Sequence, residues 1–277
     1  MPVCDLHIHT RLSSDANQSP ENNTLTVCKI AVERGIKHIA FTEHYDIIPD
    51  PGAITCNAFE AKEAVLEAKE NFGDRIDVIH GIELAHIHRP ECRAEGEKVL
   101  KDTSPDFVLG SYHIMDDGTD FYTMDFSEYS DEFLLKRLDK YLEEIYFFAK
   151  TCDFDSLAHC TYPLRYFHKA DRLDIVDMKR YREPYAEVFR TLIERGKSLE
   201  INSSTLRSDY GQPLPCFELV KLYTELGGKR FTLGSDSHSY ELVGTKIDDV
   251  QRYLYECGIC GVYIYHNRQE SFVGFGE

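Results

Sequence analysis

Residues 3–10 read VCDLHIHT, and this short segment sets the terms for the rest of the chain. Side chains alternate faces along a strand, so Asp5, His7 and His9 share one face while Leu6 and Ile8 share the other. Two imidazoles at i and i+2 stand roughly 7 Å apart, close enough to grasp one metal ion together. Similar endings recur downstream: IAFTEH reaches His44, VIHGIE reaches Glu83, FVLGSYH reaches His113, DSLAH reaches His159, and FTLGSDSH reaches Asp236 and His238. With Asp15 just beyond the first strand, the set is His7, His9, Asp15, His44, Glu83, His113, His159, Asp236 and His238. At three or four protein ligands per ion, these donors suffice for three divalent metals. Strands delivering such residues from one end describe the mouth of a barrel, and a polymetal hydrolase is the expectation.

The pattern predicts strands over Val3–His9, His38–His44, Asp77–Glu83, Phe107–His113, Asp155–His159, Leu199–Ser203 and Phe231–Asp236. Between them it predicts helices over Leu25–Arg34, Asn57–Asn71, Asp131–Lys150, Asp177–Arg195 and Phe217–Leu226. Asn57 is placed to cap the second helix, and Gly35, Gly73, Gly196 and Gly227 stand where helices end. Alternating strands and helices imply a parallel sheet. Ligands at successive strand C-termini imply its closure, since an open sheet would spread them too far apart, and the C-terminal face of a (β/α) barrel is where active sites form. No linker or low-complexity stretch divides residues 1–277, which read as one domain.

Composition narrows the function further. A length of 277 residues, 42% hydrophobic and 29% charged, suits one large α/β domain with a substantial core. No apolar run approaches the roughly 20 residues of a membrane helix, and MPVCDLHIHT lacks the basic and apolar regions of a signal peptide. A cytoplasmic location without membrane contact is expected. The 9 cysteines show no framework spacing and are expected to stay reduced; Cys257 and Cys260 form a lone CxxC without a second pair. The net charge of −17 opposes binding to nucleic acid, which requires Lys and Arg to neutralise phosphates. A small anionic substrate remains compatible, provided metals and a few arginines supply local positive charge. No pattern specifies an oligomeric state.

Glu83 ends an apolar strand, where a carboxylate is costly unless paired or coordinated. Carboxylates can bridge two metals, so Glu83 is the candidate bridging ligand. In GSDSH, Asp236 and His238 share one face and the small neighbours leave room for ions. Glu43 is expected to point away from His44 and act as a supporting acid. Arg165 lies in the expected active-site loop after His159, Arg207 follows the sixth predicted strand, and Arg11 is a weaker third candidate. Such arginines either solvate a surface or hold phosphate in a bidentate fork. His38, His80 and His266 read as structural. His86, His88 and His168 fall on the active-site side, where they could meet an imidazole-bearing substrate or protonate a leaving group.

These motifs closely resemble those of the polymerase-and-histidinol-phosphatase (PHP) superfamily. The fuller match is to its histidinol-phosphatase branch, through DLHIHTRLSSDA, FTEHYD, GIE, His113, His159, LEINSSTLR (199–207) and GSDSH. The resemblance spans residues 3 to 238 and implies a distorted (β/α)7 barrel with a trinuclear metal centre. Carried over, it implies that one metal takes His7, His9, Glu83 and Asp236. A second shares Glu83 and adds His113 and His159; the third takes Asp15, His44 and His238. It implies phosphate contacts from Arg165 and Arg207, and it favours L-histidinol phosphate as substrate, hydrolysed to L-histidinol and phosphate in histidine biosynthesis.

The expected chemistry is attack of a metal-bridging hydroxide on phosphorus, with Glu83, Asp236, Arg165 and Arg207 as the catalytic group. Arg165, Arg207, His86 and His168 are the expected substrate contacts. The donor set suits zinc, manganese and iron alike. Two other readings stand beside this one: a PHP phosphoesterase for another small phosphate or nucleotide, and a catalytically inactive metal-binding module.

Overall fold

The computed structural model describes residues 1–47 and 56–276. Its strands are β1 (Cys4–Ile8), β2 (His38–Phe41), β3 (His44–Asp46), β4 (Asp77–Ala85), β5 (Phe107–Ser111), β6 (Ser156–Leu157), β7 (Ser198–Asn202) and β8 (Phe231–Gly234). They form one parallel sheet ordered β1-β2-β4-β5-β6-β7-β8, with β3 paired beside β4. At the C-terminal end β1 meets β8: Ile8 bridges Ser237, and His9 N donates to Ser237 O at 2.9 Å. The sheet therefore nearly closes into a distorted (β/α) barrel. Its strands are buried on both faces, as parallel sheets covered by helices must be.

The predicted strand His38–His44 divides into β2 and β3 because Thr42 and Glu43 leave the ladder to hold the first loop. Thr42 Oγ1 accepts from Ile8 N, while Glu43 Oε1 accepts from the amide and hydroxyl of Thr10. The fifth predicted strand shrinks to the two residues of β6, because His159 turns the chain with φ 45°.

Helices α1 (Thr24–Glu33), α2 (Ala58–Phe72), α3 (Pro90–Thr103), α4 (Asp131–Thr151), α5 (Tyr162–Lys169), α6 (Met178–Arg195), α7 (Phe217–Glu225) and α8 (Ile247–Glu256) surround the sheet. Local chemistry fixes their ends: Asn57 accepts from Phe59 N and Glu60 N, Ser130 from Phe133 N, and Asp177 from Lys179 N. Gly196 closes α6 at φ 65°, a conformation in which glycine meets no Cβ penalty. A main core fills the barrel and the layer under α4, α6 and α7; a second cluster packs α1 and α2 against β1, β2 and β4.

Three helices go beyond the predicted set, namely α3, α5 and α8. Arg165 and His168 consequently sit on α5 rather than in an irregular loop. The hairpin β9 (Gly261–His266) and β10 (Gln269–Gly274) docks at the strand-N-terminal end of the barrel. There Arg268 reaches Asp155 and Asp153, and His266 and His38 both face Asp77, at 3.0 and 2.8 Å. The 9 cysteines are free: Cys257 is half-buried and Cys260 exposed. Among the described residues no helix is long and apolar enough to cross a membrane.

Candidate metal centre

The strand ends bring the sequence-nominated donors together around Glu83, which is fully buried at the end of β4. Its Oε1 lies 3.0 Å from His159 Nε2 and 3.3 Å from His113 Nε2. Its Oε2 lies 2.8 Å from His44 Nδ1, 3.2 Å from His7 Nε2 and 3.4 Å from His9 Nε2. One carboxylate thus addresses two separate groups of imidazoles, one with each oxygen. Burial alone would raise its pKa, but the imidazoles of His44, His7 and His113 outweigh that and hold it well below the usual carboxylate range.

Asp236 faces the same side, with Oδ1 3.6 Å from His7 Nε2, 3.5 Å from His9 Nε2 and 3.4 Å from His238 Nδ1. Asp15 Oδ2 lies 3.0 Å from His238 Nε2 and 3.4 Å from His44 Nε2. Among the described residues four triads have donor atoms mutually within 4.8 Å: His9–His44–His238, His7–His9–Asp236, His7–Glu83–His159 and His44–Glu83–His113. The triads overlap: His7–His9–Asp236 falls within the first ligand set that the resemblance implies, and the other three each combine residues of two sets.

Two observations fit this site to metal ions. His7 Nε2, His9 Nε2, His44 Nδ1 and Glu83 Oε2 are buried and make no hydrogen bond, although they converge on one another. Burying polar atoms without partners costs about 1–3 kcal/mol apiece, and coordination removes that cost. The ring nitrogens of His44 and His238 lie 3.4 Å apart, as do those of His113 and His159. Two nitrogens bound tetrahedrally to one ion at 2.0–2.1 Å would be about 3.4 Å apart. His9 is held neutral, its pKa lowered to about 3 by burial and by His44 and His238, leaving a lone pair to offer.

Behind the donors stands a layer of supporting groups. His7 Nδ1 lies 2.6 Å from Glu200 Oε1 at 0% and 1% side-chain exposure. His113 Nδ1 lies 3.1 Å from Asp46 Oδ2. Ser13 Oγ donates to Glu43 Oε2 at 2.6 Å and stands 3.4 Å from His9 Nδ1. Such contacts fix which ring nitrogen faces the site. Asp5, although on the His7 face of β1, turns to Ser235 N, Ser235 Oγ and Gly244 N and ties the last strand's loop to the first strand. His159 and Asp236 themselves adopt left-handed backbone, with φ 45° and 50°. Strain of this kind costs on the order of 1–3 kcal/mol and persists where surrounding structure enforces it.

The nominated arginines flank Asp236. Arg165 Nη1 is 4.0 Å from Asp236 Oδ2, and its guanidinium stacks over Tyr162 and Tyr166. Arg207 donates to Ser235 O at 2.8 Å and approaches Asp236 O at 3.5 Å. Both line a cavity of about 450 Å³ beside the donor cluster, together with His168, which pairs with Asp209. His86 is fully buried, its ring nitrogens without hydrogen bonds and Nε2 4.0 Å from Asp46. His88 pairs with Asp116, and Arg11 is exposed. Sequence reading passed over Glu200, Asp46 and Ser13 as supporting groups, and Asp120 near Tyr162; Glu200 alone carried a usable signal, as an acid inside the apolar strand SLEIN.

Comparison with known proteins places these features in context. The PHP domain profile matches residues 5–204. A probable histidinol-phosphatase of Thermotoga maritima is 27% identical over 253 residues, 91% of either chain. A histidinol-phosphatase of Lactococcus lactis is 29% identical over 244 residues, 86% of this chain and 85% of that one. Among solved structures, a Lactococcus lactis histidinol phosphate phosphatase complexed with zinc, L-histidinol and phosphate superposes with a TM-score of 0.79 at 23% identity. That superposition covers 98% of this chain and 99% of the other and establishes a common fold.

Proposed function

The chain belongs to the PHP domain family, and from that premise we propose that it is a metal-dependent phosphomonoesterase that hydrolyses L-histidinol phosphate to L-histidinol and phosphate. The observation that carries this reading is the convergence of buried imidazole nitrogens on the two oxygens of Glu83, those of His7, His9 and His44 at Oε2 having no hydrogen-bond partner. The names of the full-length relatives support the choice of ester.

In this reading His7, His9, Glu83 and Asp236 hold one divalent cation, Glu83 with His113 and His159 a second, and Asp15, His44 and His238 a third. Bound zinc, manganese or iron supplies Lewis-acid charge for the phosphoryl oxygens and makes water a nucleophile near neutral pH. The protein's own contribution is placement. Glu83 balances positive charge between two imidazole groups, and Glu200, Asp46 and Ser13 keep the ring nitrogens aimed. Arg165, half-buried at the cavity wall, offers a fixed fork to the phosphate, and charge developing on its oxygens strengthens that contact as the ester bond lengthens. Arg207 holds the carbonyls of Ser235 and Asp236 and so sets the Asp236 loop while lining the same cavity. Residues 1–277 act as a single domain, with β8 returning to β1 to complete the site.

Phosphate release from L-histidinol phosphate by the purified protein, supplied in turn with Mn²⁺, Zn²⁺ and Fe²⁺, tests the proposal. A kcat/KM well above that for an aryl phosphate is expected. Parity between the two esters would leave a broader phosphoesterase, and no turnover of either with full metal content would leave a binding module.

A further inference from the structure

Beside the Tyr162 phenol stands a carboxylate that no Lys or Arg pairs with among the described residues. Asp120 Oδ1 accepts from Tyr122 N at 2.8 Å and from the Tyr162 hydroxyl at 3.5 Å, and among the described residues no basic side chain pairs with it. Burial pushes its carboxyl up from the ordinary value. An acid with this surrounding gains from any ammonium group brought beside it.

Its position relative to the metal-side groups is specific. The Tyr162 ring stacks near His113 and His159, with centroids 5.5 and 5.8 Å away, and its hydroxyl is shared between Tyr166, at 3.1 Å, and Asp120. The Arg165 guanidinium lies over these same two phenols, 4.7 Å from Tyr162 and 5.0 Å from Tyr166. A fixed cation, a pair of phenols and a fixed anion therefore follow one another from Arg165 to Asp120. That order is complementary to a ligand with an anionic phosphate at one end and a cationic amine a few bonds away. Asp209, the carboxylate that lines the cavity beside Arg165, is 92% exposed and already paired with His168.

We propose that Asp120 is a specificity-determining residue that binds the ammonium group of an aminoalkyl phosphate, with Tyr162 and Tyr166 as the wall between it and the phosphate-binding Arg165. The inference rests on the phosphomonoesterase reading, though not on which aminoalkyl ester is the substrate.

The test compares esters with and without the amine on the metal-loaded full chain: L-histidinol phosphate against its deamino analogue, and phosphoethanolamine against ethyl phosphate. Wild-type protein is expected to favour the amine-bearing member of each pair that it turns over. Asp120→Asn, which keeps an oxygen to accept from Tyr122 N, should reduce that preference about 10- to 100-fold, the size of one charge-assisted hydrogen bond. The loss should fall mainly on KM, with metal content and deamino-ester turnover unchanged. Asp120→Ser offers the same comparison in a smaller side chain. Absence of an amine preference in the wild type overturns the inference. So does an equal fall for both members of a pair, or a preference that survives in both Asp120 variants and disappears in Asp209→Asn. Retention of an Asp120-dependent amine preference by a protein inactive on L-histidinol phosphate would support the inference while refuting the substrate proposed above.

Discussion

Replacement of Glu200 isolates the contribution of the layer behind the metal donors. Its carboxylate lies 2.6 Å from His7 Nδ1 with both side chains sealed from solvent, and Asn202 Nδ2 bridges its second oxygen, at 3.4 Å, to Asp236, at 3.3 Å. A charge-assisted hydrogen bond in such a place contributes about 1.5–3 kcal/mol. Supporting partners of metal-bound histidines typically change metal affinity about 10- to 100-fold, equivalent to about 1.4–2.7 kcal/mol. Two separate considerations thus give the same magnitude. Glu200→Ala is expected to weaken binding of the metal assigned to His7 about 10- to 100-fold. Glu200→Gln keeps an acceptor but loses the charge, and since neutral hydrogen bonds are about half as strong, a loss of about 3- to 10-fold is expected. The assay is competition of the apo-protein against a chromophoric chelator for Mn²⁺ or Zn²⁺, with circular dichroism to confirm the fold. Gly234 provides a control on geometry, because a Cβ there would stand 2.3 Å from His7 Cβ and 2.4 Å from Glu200 Oε1. Gly234→Ala should therefore weaken metal binding as Glu200→Ala does. Folded Glu200→Ala protein with wild-type metal affinity would refute the reasoning, whatever happened to its activity.

Glu83→Gln is expected to abolish turnover and remove at least one equivalent of bound metal. His86→Ala and His168→Ala should retain measurable activity, and comparable residual rates in all three would contradict the bridging role. Arg165→Ala should lower kcat/KM for phosphomonoesters by about 10- to 100-fold with metal content unchanged, as expected for one lost charge-assisted contact. Arg207→Ala should add a fall in melting temperature, because it also frees the carbonyls of Ser235 and Asp236; wild-type kinetics in both variants would remove the arginines from the site.

The barrel was legible because its signals are local. Apolar runs ending in His, Asp or Glu mark the C-terminal ends of β1, β4, β5 and β8, and Asn57, Asp177 and Gly196 mark helix ends where they stand. What escaped has identifiable causes. The buried positions of α3 are Cys92, Gly96, Val99 and Thr103, at helical spacing but mostly small or polar, so apolar periodicity is masked. The eight residues of α5 are too few to display a period. In the β9–β10 hairpin the turn residues Asn267 and Arg268 both take positive φ, 49° and 63°, a geometry usually announced by Asn-Gly. Arginine is accepted there because its side chain is tied to Asp155 and Asp153, a contact between positions more than a hundred residues apart.

The same distinction governs the site. An acid inside a buried strand signals that something compensates it, and the described residues include five acids in or directly beside strands at 5% exposure or less: Asp5, Glu43, Glu83, Asp155 and Glu200. Sequence cannot tell these acids apart by burial, because each lies at 5% exposure or less. Their partners separate them. Asp5 takes amides and a hydroxyl of the Ser235–Gly244 segment, Glu43 takes the first loop, and Asp155 takes Arg268. Glu200 faces one imidazole across 193 positions of sequence. Only Glu83 has imidazoles against both oxygens. Topology decides this outcome: β4 is paired with β2 and β3 on one side and β5 on the other, so its C-terminal carboxylate is reached from both sides by neighbouring strands. An acid moved one residue along β4 would face the helices instead, since side chains alternate. Moving the carboxylate from Glu83 to Leu84 would therefore preserve composition and local pattern while leaving His7, His44, His113 and His159 without their common partner.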